Sequence, residues 1–146
     1  MESLQILPLD DRSPRGLRRF DAVAHDLYRG DPHWVATLFD EVKAVMGTGN
    51  PFWEHADVRF WIARRDGRDV GRIAAIVDRS HNTIHGERTA HFGWFECVDD
   101  MAVSGALFET AIGWARARGM NRIVGPMSPS INDECGLLVE DRKSTR

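Results

Sequence analysis

The chain has 146 residues, 19 of them basic and 22 acidic, which gives a formal net charge of -3. This length suits one domain that buries roughly two thirds of its unfolded surface. The nearly balanced charge gives no reason to expect nucleic acid or an anionic membrane as a partner, and no apolar run approaches the ~20 residues of a membrane span.

The amino-terminal sequence and the cysteines indicate the compartment. The opening residues lack the basic and apolar segments of a secretory signal, so we expect a cytoplasmic protein. Cys97 and Cys135 are too few for a disulfide framework and lack Cys-x-x-Cys spacing. Both are expected to stay reduced, and Cys135 is interpreted as a buried thiol because no histidine pairs with it in the sequence.

The first third of the chain predicts one strand and two helices. Residues 4–9 form the opening strand, which is short because its proline cannot donate to a β-ladder. The Ser-Pro pair at 13–14 starts a helix, which stops at the Gly-Asp-Pro sequence at 30–32. Apolar spacing predicts a second helix over 34–46.

The middle of the chain predicts an antiparallel hairpin. Strand-like residues 58–64 are followed by Asp66-Gly67, where glycine supplies the positive φ of a tight turn. Residues 70–77 become apolar on both alternating faces, as expected of a central strand covered on both sides. Residues 78–83 are polar and predict a turn.

The clearest element is a strand, helix, strand unit. Strand residues 90–95 precede a helix that an aspartate at 99 or 100 can cap and that Gly119 can end. A short strand at 122–124 follows. Such a unit almost always closes as a right-handed crossover between parallel strands. Its ligand side would be the carboxyl end of the first strand and the loop after the second.

The order of these elements resembles the first five strands and three helices of the GNAT-superfamily N-acyltransferase fold. Local motifs resemble a narrower family of bacterial GNAT-like proteins from about residue 32 to 140; they include Asn50-Pro51-Phe52, Val70-Gly71-Arg72-Ile73-Ala74, Phe92-Gly93-Trp94-Phe95-Glu96 and Pro129-Ser130-Ile131-Asn132. The resemblance implies an α/β (α+β) fold of three layers, with a mixed sheet flanked by helices. Residues 1–140 would form this domain without its C-terminal strands, and residues 141–146 a polar tail.

The resemblance implies acyl transfer from acetyl-CoA to an amine. It places the coenzyme at the end of the central strand and the start of the next helix, at Cys97, Val98, Ala102, Val103, Ser104 and Gly105. This stretch departs from the GNAT phosphate loop because it has no arginine and carries two carboxylates, which would repel a pyrophosphate. The alternatives are therefore a non-catalytic ligand-binding or dimerisation module, or a truncated gene product without an independent role.

Glu96 is the candidate catalytic residue. It ends the strand where GNAT enzymes often keep the group that deprotonates an amine, and a partly buried carboxylate there suits a general base. The alternative is a carboxylate that bonds a neighbouring backbone group or an arginine. Ser130, Asn132 and Asp133 are the candidate ligands of a small polar or amine substrate, and the alternative for them is a turn whose side chains cap its own backbone.

Other residues carry weaker expectations. His81, His85 and His91 suggest a metal, but the predicted turn favours simple surface polarity over a metal site. The only tyrosine, Tyr28, falls in the first helix, and the arginines Arg18, Arg19, Arg64 and Arg65 are interpreted as solvated faces. The strand at 122–124 would leave an open sheet edge, which predicts a homo-oligomer.

Overall fold

The computed structural model describes residues 3–128 and 134–135. The strands are Leu4–Pro8 (β1), Ala56–Arg65 (β2), Arg68–Asp78 (β3), Thr89–Cys97 (β4), Arg122–Val124 (β5), Met127–Ser128 (β6) and Glu134–Cys135 (β7). The helices are Pro14–Leu27 (α1), Phe39–Met46 (α2), Arg79–His85 (α3) and Met101–Ala117 (α4), with a 3-10 helix at Pro51–Glu54.

Five strands form a mixed sheet in the order β1-β2-β3-β4-β5. The pairs β1–β2, β2–β3 and β3–β4 are antiparallel, whereas β4 and β5 are parallel, with Thr89 opposite Arg122 and His91 opposite Val124. The predicted crossover through α4 is thus confirmed. The stretch after β5, predicted as a loop, instead contains β6 and β7, which pair as a separate antiparallel sheet.

The core lies in two layers, one on each face of the sheet. On one face Phe60 and Ile62 of β2 pack with α1 and α2. On the other face their neighbours Trp61 and Ala63 pack with α4. Strand β3 is buried along most of its length because helices cover it on both sides. This arrangement confirms the expected three-layer α/β fold.

Two further local predictions were wrong. The second helix begins at Phe39 rather than at Trp34, because the side chain of Asp31 accepts a bond from the amide of His33 and the Trp34 ring stacks on Tyr28. The expected turn at 78–83 is the start of α3, whose amino end is capped by the Asp78 carboxylate. Within the described residues, no helix is long and apolar enough to cross a membrane.

Candidate functional site

A β-bulge determines which way Glu96 points. Arg72 of β3 lies opposite Glu96, and Ala74 lies opposite Gly93, so two residues of β4 face one residue of β3. The bulge residue Trp94 has a φ of 49°. Side chains in a regular strand alternate between faces, and one extra residue reverses that alternation.

The bulge therefore moves Glu96 to the face that α1 covers. Phe92 packs in the α4-side core, so regular alternation would direct Trp94 and Glu96 there as well. Instead Trp94 packs in the core beneath α1 and α2, and Phe95 takes the position on the α4 side. Glu96 follows Trp94 and meets the carboxyl end of α1.

Tyr28 lies directly beyond α1 and donates its hydroxyl proton to Oε2 of Glu96 across 2.7 Å. Burial, together with the hydrogen bond and the negative charge of Glu96, raises the pKa of Tyr28 to about 12. Tyr28 is therefore a neutral donor at physiological pH. Sequence reasoning places this residue in the first helix and assigns it no role.

An aromatic cluster surrounds the Tyr28 ring. Trp34 stacks on it with ring centroids 5.2 Å apart and an interplanar angle of 14°. His25 packs edge-on against Trp34 and bonds the carboxylate of Asp21. The connector from α1 to α2 thus closes over the residue that holds Glu96. Farther along it, Val35 and Leu38 are 86% and 70% exposed.

The carboxyl half of β4 extends past its pairing with β5, and β6 also lies beside β4. Pairing with β5 covers only residues 89–91 among the described residues. Beyond it, the backbone of Gly125 passes so close to Phe92 that an added Cβ would stand 2.4 Å from the Phe92 carbonyl oxygen. Residues 92–97 of β4, which include Glu96, continue past this crossing. This edge is the predicted ligand side of the fold.

The residues assigned to the coenzyme have different environments. Val103 is fully buried in the α4-side core, whereas Ala102 and Gly105 are exposed and Ser104 is half-buried. Cys97 and Val98 are also half-buried, and the Cys97 thiol donates to the Val98 carbonyl. Burial and the nearby charge of Asp100 raise the pKa of Cys97 to about 11, so Cys97 is a thiol at neutral pH.

The start of α4 is closed by the protein's own groups. Oδ1 of Asp100 accepts the amide of Ala102 across 2.9 Å, and the Asp100 carbonyl accepts the amides of Val103 and Ser104. Oδ2 of Asp100 pairs with Nη1 of Arg65 at 2.6 Å. That hydrogen bond is the main cause of the lowered pKa of Asp100. The amides of Ala102, Val103 and Ser104 are therefore already bonded to Asp100 and are not free to bind a pyrophosphate.

The structure confirms the predicted aspartate cap and adds a pairing that the sequence interpretation lacks. Of the two candidates, Asp99 and Asp100, it is Asp100 that caps the helix, and the arginine pairing offsets part of its negative charge. Arg65, interpreted from the sequence as part of a solvated face, bonds Asp100 across the gap between β2 and α4. No local pattern marks this pair, because the two residues are far apart in the chain.

The remaining candidates fall into two groups. Ser130, Asn132 and Asp133 lie outside the described residues, as does the side chain of Cys135. The three histidines do come together: the ring centroid of His81 lies 4.5 Å from that of His85 and 5.3 Å from that of His91. The described part of the chain nevertheless contains no group of side chains able to hold a metal ion.

Comparison with known proteins gives two curated relatives. The chain is 43% identical over 138 residues to the bacterial ceramide synthase of Caulobacter vibrioides, and 40% identical over 124 residues to Protein YghO of Escherichia coli. These matches cover 93% and 85% of the chain but only 35% and 32% of the relatives. The chain therefore spans about a third of their length. No family model matches the sequence.

Solved structures share the architecture at low sequence identity. A tandem GNAT protein from the clavulanic acid biosynthesis pathway superposes with a TM-score of 0.57 at 18% identity, over 81% of this chain and 34% of its own. The aminoglycoside N-acetyltransferase AAC(6')-Iy in complex with CoA gives 0.56 at 13% identity, over 97% and 95%. An acetyltransferase from Streptococcus agalactiae gives 0.56 at 20% identity, over 82% and 70%.

Proposed function

We propose that this chain, which has the GNAT fold, forms the part of an N-acyltransferase in which Glu96 deprotonates the acceptor amine. The observation that carries the proposal is the placement of Glu96: it lies at the carboxyl end of β4, beyond the last residue paired with β5, and Tyr28 holds one of its oxygens. A carboxylate that is held in place near the end of a central strand has the geometry that a general base needs.

The proposed reaction forms an amide from an amine and an acyl thioester. The nitrogen–carbon bond forms as the carbon–sulfur bond breaks and one amine proton passes to Glu96. The departing thiolate takes up a proton from water, and Glu96 returns its proton to water, so the products are the amide and the free thiol. An ionised carboxylate offers about four lone-pair positions, and Tyr28 uses one of them. Glu96 therefore keeps the capacity to accept a proton while its orientation stays fixed.

The relatives suggest the class of acceptor. A ceramide is the amide of a fatty acid with a long-chain amino alcohol, and the relative with that name is 43% identical over nearly the whole of this chain. We propose an acceptor of this class, with its amine at Glu96 and its hydrocarbon chain along the α1–α2 connector. The exposed apolar side chains of Val35 and Leu38, close in sequence to the stacked Trp34, support this direction.

The proposed donor is a fatty acyl thioester. The aminoglycoside N-acetyltransferase that shares this fold was solved in complex with CoA, which supports an acyl-CoA as the donor here. Asp100 already occupies amides at the start of α4, and the role proposed for Glu96 does not depend on a diphosphate site there.

Amide formation tests the catalytic proposal. The purified chain is incubated with palmitoyl-CoA and sphinganine, and the amide is measured by mass spectrometry for wild type, Glu96→Gln and the control Glu109→Gln. Glu109 is exposed on α4 and lies outside the site. Loss of the base should lower the rate by roughly 100-fold or more, with the control unchanged. An active Glu96→Gln variant would refute the role of Glu96.

A non-catalytic binding module is the second candidate, and the closed start of α4 favours it. Under this proposal the chain binds the amino alcohol without forming product. Calorimetry with sphinganine below its aggregation concentration would then show binding heat in the wild type, while mass spectrometry detects no amide. Amide formation that depends on Glu96 would rule this candidate out.

A further inference from the structure

Arg72 is a buried arginine that connects the two elements carrying Tyr28 and Glu96. It lies on β3 directly opposite Glu96, and only 8% of its surface is exposed. Its Nε donates to the carbonyl of Trp94 at 2.9 Å, and its Nη1 donates to the carbonyl of Phe20 at 3.0 Å. The first carbonyl belongs to the β4 bulge and the second to α1.

These two bonds act at the positions that set the Tyr28–Glu96 geometry. Trp94 holds the left-handed φ of the bulge, a conformation that costs energy for a non-glycine residue and persists only where its surroundings fix it. Phe20 lies about two helical turns before Tyr28 on α1. The guanidinium also lies 4.9 Å from the centroid of the Phe20 ring, so both the backbone and the side chain of Phe20 contact it.

Arginine suits this position better than lysine. A buried charge is costly unless hydrogen bonds replace its hydration, and two carbonyls supply such bonds here. The guanidinium has five donors in a rigid planar fork, so it can reach carbonyls on two elements at once. A lysine ammonium at the end of a flexible stem would not reproduce that geometry.

We propose that Arg72 is a positioning residue that holds the bulge of β4 and helix α1 in the register that brings Tyr28 to Glu96. The catalytic consequence rests on the function proposed above, because it assumes that Glu96 is the base. The structural part, the dependence of the Tyr28–Glu96 hydrogen bond on Arg72, does not require activity. The two parts can therefore fail separately.

The test uses the only tyrosine of the chain as a probe. Tyrosine labelled with ¹³C at Cζ gives one NMR signal, whose chemical shift reports whether the hydroxyl donates to a carboxylate. Spectra are compared for wild type, Arg72→Met, Arg72→Lys and Glu96→Ala, the last giving the signal without the carboxylate. The control is Arg59→Met, because Arg59 is a partly exposed arginine of β2 that pairs with Asp10 outside the site.

The expected result is that Arg72→Met moves the Tyr28 signal to the position seen in Glu96→Ala, while Arg59→Met leaves it unchanged. Circular dichroism establishes that each variant is folded. The Tyr28 signal of Arg72→Lys should shift in the same direction, and this variant provides the test if Arg72→Met unfolds. A wild-type signal in a folded Arg72 variant would overturn the proposal, and so would unfolding of both variants, because Arg72 would then serve only stability.

The amide assay gives the second readout. A small displacement of a reacting group can cost on the order of 100-fold in rate, so kcat in Arg72→Lys should fall by about 10- to 100-fold, with KM changed by less than about 3-fold. An unchanged kcat with a shifted Tyr28 signal would overturn the catalytic part. If the wild type forms no amide, the proposed function fails, and the NMR result still decides the structural part.

Discussion

Tyr28 should ionise well above the ordinary range of a tyrosine, and alkaline titration measures this directly. Burial is the largest cause of its raised pKa, followed by the hydrogen bond to Glu96 and the charge of that carboxylate, while Arg72 acts in the opposite direction. The folded-state pKa is about 12, against 10.0 for an unperturbed tyrosine. No other tyrosine contributes to the signal.

The raised pKa has a consequence for stability. The folded state favours the neutral phenol, so the contribution is complete below pH 10 and is lost as pH rises from there through about 12. A pKa difference of this size corresponds to at most ~2.7 kcal/mol, and partial exposure of the ring lowers the expected loss to about 1–2 kcal/mol.

The assay follows phenolate absorbance against pH, with circular dichroism recorded at each step to confirm that the protein is folded. Glu96→Gln should ionise earlier than wild type, yet still above the ordinary pKa, because burial remains when the charge is removed. Glu109→Gln serves as the control and should match wild type. Half-ionisation near pH 10 in a folded wild type, or identical curves for wild type and Glu96→Gln, would contradict a raised Tyr28 pKa that depends on Glu96.

Three further predictions follow from packing, charge and the sheet edge. A Cβ on Gly71 would stand 2.8 Å from Leu107, so Gly71→Ala should destabilise the fold by about 1–3 kcal/mol. Leu107→Ala should lower the free energy of unfolding by about 2–5 kcal/mol. In the double variant, the loss measured by urea titration should be smaller than the sum of the two single losses, whereas full additivity would argue against the contact. Burial and His81 lower the pKa of His91, so its contribution to stability is present above pH 6.5 and lost as pH falls through the lower folded value. The melting temperature of His91→Gln should therefore change less with pH in the acid range than that of the wild type. The control variant His33→Gln, in which an exposed histidine is replaced, should show the same pH dependence as the wild type. Among the described residues β5 is the last strand of the five-stranded sheet, so we propose self-association through this edge, and light scattering at monomer mass over a range of concentrations would contradict it.

Much of the fold follows from local patterns. The α4 periodicity, its aspartate cap and the Asp66-Gly67 turn each report a short-range preference that the folded chain keeps. Trp34 and the residues after it show where this reasoning fails: their spacing suits a helix, but stacking of Trp34 on Tyr28 favours an extended connector. At residues 78–83 the cap at Asp78 starts a helix in a stretch whose polarity suggests a turn.

The contacts within the candidate site are harder to predict from the sequence than the fold. Glu96 follows directly after the strand predicted at 90–95, and the resemblance to GNAT enzymes makes it the candidate base; the structure extends this strand to Cys97. Its partner Tyr28 lies 68 residues away in the chain. The pair depends on how α1 packs and on a bulge at Trp94, which the sequence does not predict because Trp94 is not a glycine. Arg65 and Asp100 are likewise joined only by the packing of β2 against α4.

The extra residue in β4 makes the chemistry of this strand depend on its pairing register. If the same residues paired with β3 without the bulge, strict alternation would turn the carboxylate of Glu96 inward, into the apolar layer beneath α4, where Phe95 now packs. A slip of one residue beyond Gly93 would thus bury the proton acceptor and turn out a ring without altering the order of the strands. Loss of reactivity in such a chain need not involve replacement of any side chain.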